Sequence, residues 1–564
     1  MDREERWQRL TSEHWDILII GGGITGAGAA RDAARRGLKV AVVDMNDMAS
    51  GTSSRSSKLI HGGLRYLEHY EFSLVFEAVS ERKTLQEIAP HLVNPLGFIF
   101  PIYDGGPVSV NKLRTALWVY DGLSLFRSPK LHTSYTPEEA LEAEPLLQAK
   151  GLKGVALYYD CATDDARLTL ETMLDARQNA ACILTYVLVS DLLNDQDGRI
   201  RGVQVQDLIS GHTAEVRARA VINATGPWAD RTRSMGGGGR TLLSPTKGVH
   251  IVVPRERLSL RWAVVCSHPT DQRVLFAIPW GRDSTFIGTT DTFYEGDPAD
   301  VAATREDVEY LLAATNAYFP HAQLGEDDVI CTWAGLRPLI REDSDTAERL
   351  SYTHREQTAE SSVSREHEIV VGPDLLVTIA GGKLTTYRRM GKEVVRKALE
   401  VIKLAGGELP HMRDPKTGRD PLPGAIGWPE DDDSTRVSRI ILEKAPQLSA
   451  SSAQYLADHY GTRGIDIAER CNKDPRLLEP LIPGRPEILG MVDWSVKEEL
   501  AERVSDVMMR RTQLHYRDHD QGLGALEAVA QRMAEILGWD DDRRAQEILI
   551  YQSEVGRSRA WRSE

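Results

Sequence analysis

Apolar residues at the start of the chain form two short runs with a helical segment between them. The first run, DILII, covers residues 16–20 and has the length and composition of a buried strand. The segment 24–36 has the composition of a helix, and LKVAVV at 38–43 is typical of a second buried strand. This order predicts a βαβ unit at the start of the chain.

Further strand patterns follow, and each is bounded by turn residues. They are RAVINATG (219–226), GVHIVVP (248–254), RVLFAIPW (273–280), STFIGTT (284–290) and LLVTIAGG (375–382). The three patterns between 248 and 290 lie close together in the chain, which predicts an antiparallel sheet. The last ends in Gly-Gly and precedes a helical pattern at 385–402. The sequence therefore predicts an α/β fold, with a discontinuous Rossmann-like domain and an inserted β-rich antiparallel domain.

Prolines and acidic residues mark a boundary after these elements. The segment 406–434 contains five prolines and the run EDDD, which predicts a linker. Beyond it, KEELAERVSDVMMRR (497–511) predicts a helix with an apolar face. The residues on this face are Leu500, Val504, Val507 and Met508. We therefore predict an all-α C-terminal domain at 435–564, whose apolar faces form either an internal core or the surface of a homodimer.

Composition narrows the class of protein. The chain has 564 residues, of which 41% are hydrophobic and 27% charged, as in ordinary globular proteins. Its formal net charge of −15 argues against nucleic-acid binding, which needs a basic surface. The five cysteines are far apart and odd in number, which disfavours a disulfide framework and suits a reducing compartment. MDREERWQRL lacks the apolar core of a secretory signal, and no apolar run reaches about 18 residues, so we expect a cytoplasmic protein.

A glycine-rich turn joins the first strand to the first predicted helix. It contains Gly21, Gly23 and Gly26 in the spacing GxGxxG. Such glycines allow a tight turn and let the backbone approach a pyrophosphate at the positive helix N-terminus. Asp44 ends the second strand, where a carboxylate accepts hydrogen bonds from both ribose hydroxyls. This context predicts FAD or NAD rather than NADP; the alternative is a structural turn without a ligand.

Two later strand ends distinguish FAD from NAD. NATGPW (223–228) and AGGKLTTYR (380–388) both place glycine after an apolar strand. The helix after the second would direct its N-terminus at the pyrimidine edge of a flavin, where reduction builds negative charge. A flavin that stays bound needs such additional contacts along its length, so the pattern favours FAD, held non-covalently.

Several longer motifs occur in a fixed order along the chain. They are GGGITGAG, TSSRSSKLIHGGLRYLEHYEF, NATGPW, WAGLRPL, SREHEI and GGKLTTYR. In this order they resemble the FAD-dependent glycerol-3-phosphate dehydrogenases, which belong to the D-amino-acid-oxidase-like flavoprotein group. The C-terminal region resembles the helical domain of that family. The resemblance implies an oxidoreductase region at 12–405, with FAD-binding segments at about 12–90, 150–235 and 345–405 and substrate-domain segments at about 91–149 and 236–344.

The resemblance also implies the residues of the site. FAD contacts are expected from Gly21, Gly23, Gly26, Asp44, Thr52, Ser53, Ser57, Lys58, Leu59, Ile60, Ala224, Gly226, Gly382, Lys383, Leu384 and Thr385. Contacts to the phosphate of glycerol 3-phosphate, which suits arginine forks, are expected from Arg65, Tyr66, Arg337, Arg365 and Lys383. His61, Arg337 and Lys383 are the predicted catalytic residues. His61 is the candidate base for the C2 hydroxyl, and the alternative is a histidine that only hydrogen-bonds the flavin or the backbone.

The family implies oxidation of sn-glycerol 3-phosphate to dihydroxyacetone phosphate by hydride transfer from C2 to FAD, with electrons passed to a membrane quinone. The alternative is an oxidase that converts O2 to H2O2; such oxidases carry an insertion for which 564 residues leave little room. Quinone reduction implies peripheral attachment to the membrane surface at its inner face. The segment 110–130, with Trp118 and flanking basic residues, is a candidate for this contact, and the alternative is a buried helix. No metal-binding spacing occurs in the sequence.

Overall fold

The computed structural model describes residues 2–63, 72–105, 110–123, 130–237, 241–341 and 367–564. Its strands are β1 (Trp15–Ile20), β2 (Val40–Val43), β3 (Leu59–Ile60), β4 (Asn94–Tyr103), β5 (Thr133–Tyr135), β6 (Leu152–Ala162), β7 (Cys182–Leu184), β8 (Val187–Asn194), β9 (Ile200–Asp207), β10 (Thr213–Asn223), β11 (Thr246–Pro254), β12 (Ala263–Ser267), β13 (Val274–Trp280), β14 (Ser284–Gly288), β15 (Thr292–Phe293), β16 (Cys331–Arg337), β17 (His367–Val371) and β18 (Val377–Gly381). Its α-helices are α1 (Arg3–Ser12), α2 (Ile24–Arg35), α3 (Phe72–Ile88), α4 (Val110–Leu123), α5 (Pro137–Ala143), α6 (Asp165–Gln178), α7 (Ala229–Met235), α8 (Arg305–Tyr318), α9 (Tyr387–Leu404), α10 (Ser434–Lys444), α11 (Ala450–Tyr460), α12 (Arg463–Lys473), α13 (Leu489–Glu499), α14 (Val504–Asp506), α15 (Leu514–Arg517), α16 (Leu526–Leu537) and α17 (Asp541–Arg559).

The first sheet has the strand order β17-β18-β10-β1-β2-β7. All of these strands run parallel except β17, which pairs antiparallel with β18 at the edge. β1 lies inside the sheet, where Ile17 is paired with Ala220 on one side and with Val40 on the other. Helices cover parallel sheets, and here α2 and α9 approach so closely that Gly391 has no room for a Cβ beside Gly28. The predicted Rossmann-like domain, assembled from separated segments, is confirmed.

The second sheet is mostly antiparallel and carries the order β15-β11-β14-β13-β12-β4-β6-β3, with β16 on the other side of β11. β14 lies between β11 and β13 and is antiparallel to both, as the sequence predicts. Buried residues of α8, including Val308 and Leu311, pack into one cluster with this sheet. The other face packs against the C-terminal helices, where Trp333 of β16 lies in one cluster with Met508. The predicted β-rich domain and helical C-terminal region are therefore present.

The helix predicted across 497–511 is not continuous. α13 ends at Glu499, and Leu500 adopts a left-handed conformation with φ +60°. The chain then forms the short α14 and continues as a π-helical turn, Val507–Arg511. The four apolar residues of the predicted face are nevertheless all buried. Periodicity therefore identifies which residues are buried but not the shape of the backbone.

Hydrogen bonds with side chains stabilise the backbone where this helix is interrupted. The backbone N–H groups of Glu502 and Arg503 both donate to Asp506 Oδ2 at 2.9 Å. A guanidinium N–H of Arg511 donates to the carbonyl oxygen of Glu499 at 2.8 Å, which satisfies the end of α13. Because polar side chains replace the helical i→i−4 bonds here, the break is stabilised by contacts that a hydrophobic pattern does not report.

The segment 406–434, which is described in full, is irregular apart from a 3₁₀ turn at Pro423–Ala425 and the first residue of α10. It lies along α2, because Arg31 donates to the carbonyl oxygens of Thr417 at 2.8 Å and Asp420 at 2.7 Å.

The helix α4 is partly buried and partly exposed, so it has features of both a buried helix and a surface helix that could contact a membrane. Leu113, Leu117 and Tyr120 are buried, whereas Trp118 and Val119 are 57% and 39% exposed. One side of the helix therefore belongs to the protein core, and an apolar pair on another side faces solvent. Among the described residues, no helix is both long enough and apolar enough to cross a membrane.

Candidate functional site

The glycine-rich turn lies where β1 passes into α2. Gly21 has φ +108°, and a Cβ at this position would lie 2.5 Å from the carbonyl oxygen of Ala224. A Cβ at Gly26 would lie only 1.9 Å from the carbonyl oxygen of Gly21. The N-terminus of α2 is thereby held against the end of the strand, with the Ile24 N–H donating to Ser53 Oγ at 2.9 Å. This arrangement presents the positive end of a helix to a phosphate group.

Asp44 follows β2 and faces the same turn. Its Oδ2 accepts a hydrogen bond from the Gly22 N–H at 2.6 Å, and its Oδ1 accepts one from the Asn46 N–H at 2.8 Å. Desolvation by the surrounding loops, helped by the charge of Asp47, raises the pKa of Asp44 to about 6. A carboxylate beside a phosphate-binding turn has the position and the acceptor oxygens needed for ribose hydroxyls.

Two further loops meet this turn, because the carboxyl ends of the parallel strands lie at one edge of the sheet. β10 leads into Ala224, whose N–H donates to Ile20 O at 2.9 Å, and into Gly226. β18 leads into Gly382, where a Cβ would lie 2.3 Å from Met390 Cε, and then into Leu384 in a 3₁₀ turn. The predicted FAD-contact residues that follow β1, β2, β10 and β18 thus lie at one edge of the sheet.

This edge also contains a buried donor that no described residue satisfies. The indole N–H of Trp228 is buried and has no hydrogen-bond partner among the described residues. Its ring lies 3.4 Å from where a Cβ would stand on Gly51, at the start of the 3₁₀ turn of Thr52–Ser54. An orphaned buried donor beside a phosphate-type turn fits a bound polar ligand, so these residues suit a dinucleotide.

His61 lies directly after β3 and is joined to the last of these loops. Its backbone N–H donates to Thr385 Oγ1 at 3.2 Å, and the Thr385 hydroxyl donates to the His61 carbonyl at 3.3 Å. Leu59 and Ile60 are held by pairing with Ala162 and Cys161 of β6. His61 is therefore fixed beside the loop that begins at Gly382, and its side chain is half-buried.

The second sheet borders the same region and supplies Arg337. Thr52 Oγ1 donates to Leu336 O at 2.7 Å, and Ser57 Oγ is 2.9 Å from His250 Nε2 on β11. Arg337, the last residue of β16, is ion-paired with Asp291 at 2.8 Å. It also donates to Thr289 Oγ1 and to Thr290 O, both at 3.1 Å. A preoriented guanidinium thus lies next to the segment that carries the predicted FAD contacts.

Lys58 occupies a different environment from that implied by its position in the motif. Its ammonium donates to Asp165 Oδ1 at 2.6 Å and to Ser54 O at 3.1 Å. It also lies 5.4 to 5.9 Å from the ring centres of Trp280, Trp333 and Tyr516. The side chain is 3% exposed and engaged inside the protein, so any contact of Lys58 with FAD rests on its backbone.

Three of the predicted substrate residues, Arg65, Tyr66 and Arg365, lie outside the described residues. Lys383 is described: it is half-buried and immediately precedes the 3₁₀ turn of Leu384–Thr386. Of the predicted catalytic residues, His61 and Lys383 are therefore brought to one loop cluster, and Arg337 is placed on the neighbouring sheet edge.

A buried polar group behind His61 was missed by the sequence analysis. The Gly62 N–H donates to Tyr120 OH and to Asp160 Oδ1, both at 3.1 Å. Tyr120 OH donates to Asp160 Oδ1 at 2.8 Å, and Arg82 is ion-paired with the same carboxylate. The signal available in the sequence was Asp160 itself, a single charge within the apolar run GVALYYDCA.

Comparisons with known proteins identify the family of this chain. Residues 16–388 match the family model described as FAD dependent oxidoreductase, and residues 415–544 match the C-terminal domain of alpha-glycerophosphate oxidase. An aerobic glycerol-3-phosphate dehydrogenase of Staphylococcus haemolyticus is 36% identical over 552 residues, covering 96% of this chain and 95% of the relative. An alpha-glycerophosphate oxidase of Streptococcus pyogenes serotype M1 is 35% identical over 593 residues, covering 95% of this chain and 94% of the relative.

A solved structure extends the similarity to three dimensions. The glycerol-3-phosphate dehydrogenase of Bacillus halodurans, complexed with FAD, is 33% identical and matches with a TM-score of 0.79 over 99% of this chain and 97% of that one. The chain therefore belongs to the FAD dependent oxidoreductase family, and FAD is its cofactor.

Proposed function

We propose that this chain oxidises sn-glycerol 3-phosphate to dihydroxyacetone phosphate, with hydride transfer from C2 to FAD. The observation that carries the proposal is full-length similarity: relatives named for this substrate match about 95% of both chains, so FAD-binding, substrate-side and C-terminal regions are all represented. FAD supplies the hydride acceptor. The protein must bind a phosphate dianion, orient the C2 hydrogen and accept the hydroxyl proton.

His61 is the proposed acceptor of the C2 hydroxyl proton. Imidazole titrates near neutral pH and suits general base catalysis there. The paired hydrogen bonds between Thr385 and the His61 backbone limit the movement of this residue relative to the Gly382–Thr385 loop. Lys383, in that loop, is proposed to contact substrate or the flavin edge. His61 would thus accept the proton that leaves the C2 hydroxyl, and Lys383 would stabilise the negative charge that accumulates on the substrate or on the flavin.

Arg337 is the proposed phosphate ligand on the substrate side. Asp291 and the 289–290 backbone and hydroxyl groups hold its guanidinium in one orientation. A preoriented fork loses less rotational entropy on binding phosphate than a mobile side chain does. Arg65, Tyr66 and Arg365 are proposed to complete the phosphate site from the segments beyond the described residues.

A membrane quinone is the proposed electron acceptor, and O2 is the second candidate. The support comes from chain length. The Streptococcus pyogenes oxidase aligns over 593 positions, more than the 564 residues of this chain, so it carries residues that have no counterpart here. The Staphylococcus haemolyticus dehydrogenase aligns over 552 positions. Length therefore favours the dehydrogenase.

Quinone reduction requires contact with the membrane surface, for which we propose the α3–α4 apolar patch. We define this patch as Phe72, Phe76, Trp118, Val119 and Leu131, which are 39% to 57% exposed. The exposed cationic residues Lys112, Arg114 and Lys130 lie on or next to the same elements. Apolar residues flanked by cations match an anionic bilayer interface, with the protein at the inner face of the membrane.

The function is tested by the visible spectrum of the anaerobic holoenzyme. Addition of sn-glycerol 3-phosphate is expected to abolish the yellow flavin absorbance, whereas glycerol, which lacks the phosphate, is the matched control and is expected to leave it. If glycerol 3-phosphate does not bleach the flavin, the substrate assignment is wrong. Dividing the bleached sample between air and a soluble quinone then tests the acceptor. Rapid recovery in air with H2O2 formed would identify the oxidase.

The membrane contact is tested by sedimentation with vesicles of phosphatidylglycerol and phosphatidylcholine. Trp118→Ser and Phe76→Ser are expected to reduce the bound fraction. Leu549→Ser, at a position 65% exposed on α17, is the control for loss of surface hydrophobicity and is expected to have no effect. Equal binding by all three variants would reject the patch, and binding unchanged by anionic lipid content would reject the role of the cations.

A further inference from the structure

The loop that carries Asp44 is also held by the C-terminal domain. We define the 44–50 loop as the residues between β2 and Gly51. On one side of this loop, Asp44 accepts the hydrogen bond from the Gly22 N–H, and Ala49 N–H donates to Gly22 O at 3.1 Å. On the other side, Asp47 Oδ2 accepts a hydrogen bond from Arg510 Nε at 2.5 Å, and its Oδ1 accepts one from Arg511 at 3.0 Å. One short loop therefore joins the phosphate-binding turn to the C-terminal domain.

The contact is a closed cluster of buried charges. Asp47 and Asp506 are fully buried, and Arg511 and Arg510 are 1% and 7% exposed. Arg510 also donates to Asp506 Oδ1 at 2.8 Å, and Tyr186 OH donates to the same oxygen at 2.5 Å. Burial would raise the pKa of Asp47, but the charges of Arg511 and Arg510 outweigh this and hold the pKa below its ordinary value. Two carboxylates thus neutralise two guanidinium groups.

The π-helical turn explains how two consecutive arginines reach one carboxylate. Val507–Arg511 forms this turn directly after α14, and both Arg510 and Arg511 lie within it. The α14 end is anchored by the Asp506 contacts and the other end by the Arg511 bond to Glu499 O. Such π-helical turns in proteins are frequently found at functional positions. Here the turn directs its two cations at the FAD-binding domain.

We propose that Arg510 and Arg511 are positioning residues for FAD: through Asp47 they hold the 44–50 loop, and with it Asp44 and the Gly22 turn, in the conformation that receives the adenosine half of the cofactor. This assigns the C-terminal domain a role in cofactor retention. The proposal depends on FAD being the cofactor and not on the identity of the substrate or of the electron acceptor.

The physical basis is the cost of leaving a buried charge without its partner. Asp47→Asn removes the negative charge and leaves Arg511 and part of Arg510 uncompensated, which favours movement of the loop toward water. The carboxylate of Asp44 lies in the same loop, so its placement relative to the ribose is relaxed as well. Coupling of this kind is reciprocal, and FAD binding must in turn stabilise the arginine cluster.

A second buried ion cluster at the same domain boundary provides a matched control. Arg167 of α6 is ion-paired with Glu171 and with Glu499 of α13, and Arg463 of α12 is ion-paired with Glu171 at 2.9 Å. Glu171 also accepts a hydrogen bond from the Gly424 N–H at 2.9 Å. Its partners belong to α6, α12 and the segment before α10, and none of these contacts involves the 44–50 loop. The carbonyl of Glu499 that accepts from Arg511 is left in place, so Glu171→Gln perturbs an equally buried inter-domain ion pair without removing a contact to Asp47 or to its two arginines.

The test is the dissociation constant of FAD, measured by the fluorescence of flavin released when each full-length holoenzyme is diluted. Asp47→Asn is expected to raise the constant about 10-fold, the order of a coupling transmitted through one neighbouring contact, while Glu171→Gln stays within about 2-fold of the wild type. Arg510→Lys, which keeps the charge but loses the fork, is expected to lie between them. Unchanged affinity in Asp47→Asn, or equal loss in Glu171→Gln, would overturn the proposal.

A measurement without substitutions covers the case in which Asp47→Asn does not fold. Amide hydrogen exchange of the wild-type chain is compared with and without FAD. FAD is expected to slow exchange of the amides in 502–512 and to leave those of α12, next to the control cluster, unchanged. Equal exchange of 502–512 in the two states would show that FAD and the arginine cluster are not coupled.

Discussion

The buried group behind His61 allows a quantitative test of how the site is supported. We consider Tyr120→Phe, which removes one hydroxyl oxygen and leaves the ring in place. In the structure this hydroxyl donates to Asp160 Oδ1 at 2.8 Å and accepts from the Gly62 N–H at 3.1 Å and from Arg82 at 3.2 Å. The ring is 1% exposed, so water cannot replace the lost contacts without entering the core.

The expected magnitude follows from which partners remain. Asp160 still accepts from Arg82 and from the Gly62 N–H after the substitution, so no charge is left alone. The loss is then close to one hydrogen bond to a charged group, about 2 kcal/mol of unfolding free energy. Asp160→Asn removes the charge of a carboxylate that is ion-paired with the buried Arg82 and is expected to cost more, about 3–5 kcal/mol.

The same substitution is expected to slow catalysis. Gly62 follows His61 directly, and small displacements of a catalytic group cost up to about 100-fold in rate, so we expect kcat to fall about 10-fold in Tyr120→Phe. The assay combines urea unfolding with steady-state kinetics on glycerol 3-phosphate. Tyr455→Phe is the control, since Tyr455 OH donates to Thr512 O at 3.0 Å in the C-terminal domain. If both variants lose similar stability and keep the wild-type kcat, the support of His61 by Tyr120 is refuted.

Four further predictions concern the cofactor, the stability of the chain without FAD and the phosphate. Gly26→Ala is expected to yield a colourless protein, because its Cβ would stand 1.9 Å from Gly21 O; purification with bound FAD would contradict this. The pKa of Asp44 is raised to about 6 by desolvation, and ribose hydroxyls donate to the ionised carboxylate, so FAD affinity is expected to fall below about pH 6 and Asp44→Asn to remove this dependence in a binding titration. In the chain without FAD the same raised pKa contributes stability at low pH that is lost as the pH rises through about 6, which urea unfolding at several pH values would measure. Arg337→Lys loses the fork that Asp291 holds, and steady-state kinetics are expected to give a KM for glycerol 3-phosphate about 10-fold or more higher; an unchanged KM would remove Arg337 from the phosphate site.

The elements that could be predicted from sequence share a local cause. β1, β2 and β14 are short apolar runs between turn residues, and the burial of both faces of a strand is visible in composition alone. The region 497–511 differs, because Leu500 ends a helix that its apolar spacing would continue. The cause is the carboxylate of Asp506 and the guanidinium of Arg511, which bond to the backbone of the break. Arg511 in turn donates to Asp47, a residue 464 positions away.

The candidate site also contains residues that could be predicted from the sequence and residues that could not. Asp44 and the glycine turn are recognisable because a nucleotide requires them at fixed distances along the chain. Asp160 is visible as an isolated charge in an apolar strand, but its partner Arg82 is 78 positions away on α3, and no pattern in the sequence links the two. The interactions that position the site are therefore long-range, while the interactions that define its chemistry are local.

The arginine doublet shows how such long-range support can be inferred. Arg510 and Arg511 follow the apolar residues VMM, and two cations in a buried stretch require carboxylates opposite them. The chain offers 83 acidic residues, so the requirement alone identifies none of them. Asp47 becomes distinctive only when its neighbour Asp44 is known to belong to the nucleotide site. When the partner of a buried charge lies next to a ligand-binding residue, binding of that ligand to one domain is coupled to the stability of the other domain. The role of the C-terminal domain should therefore be visible in the affinity for FAD rather than in the catalytic rate.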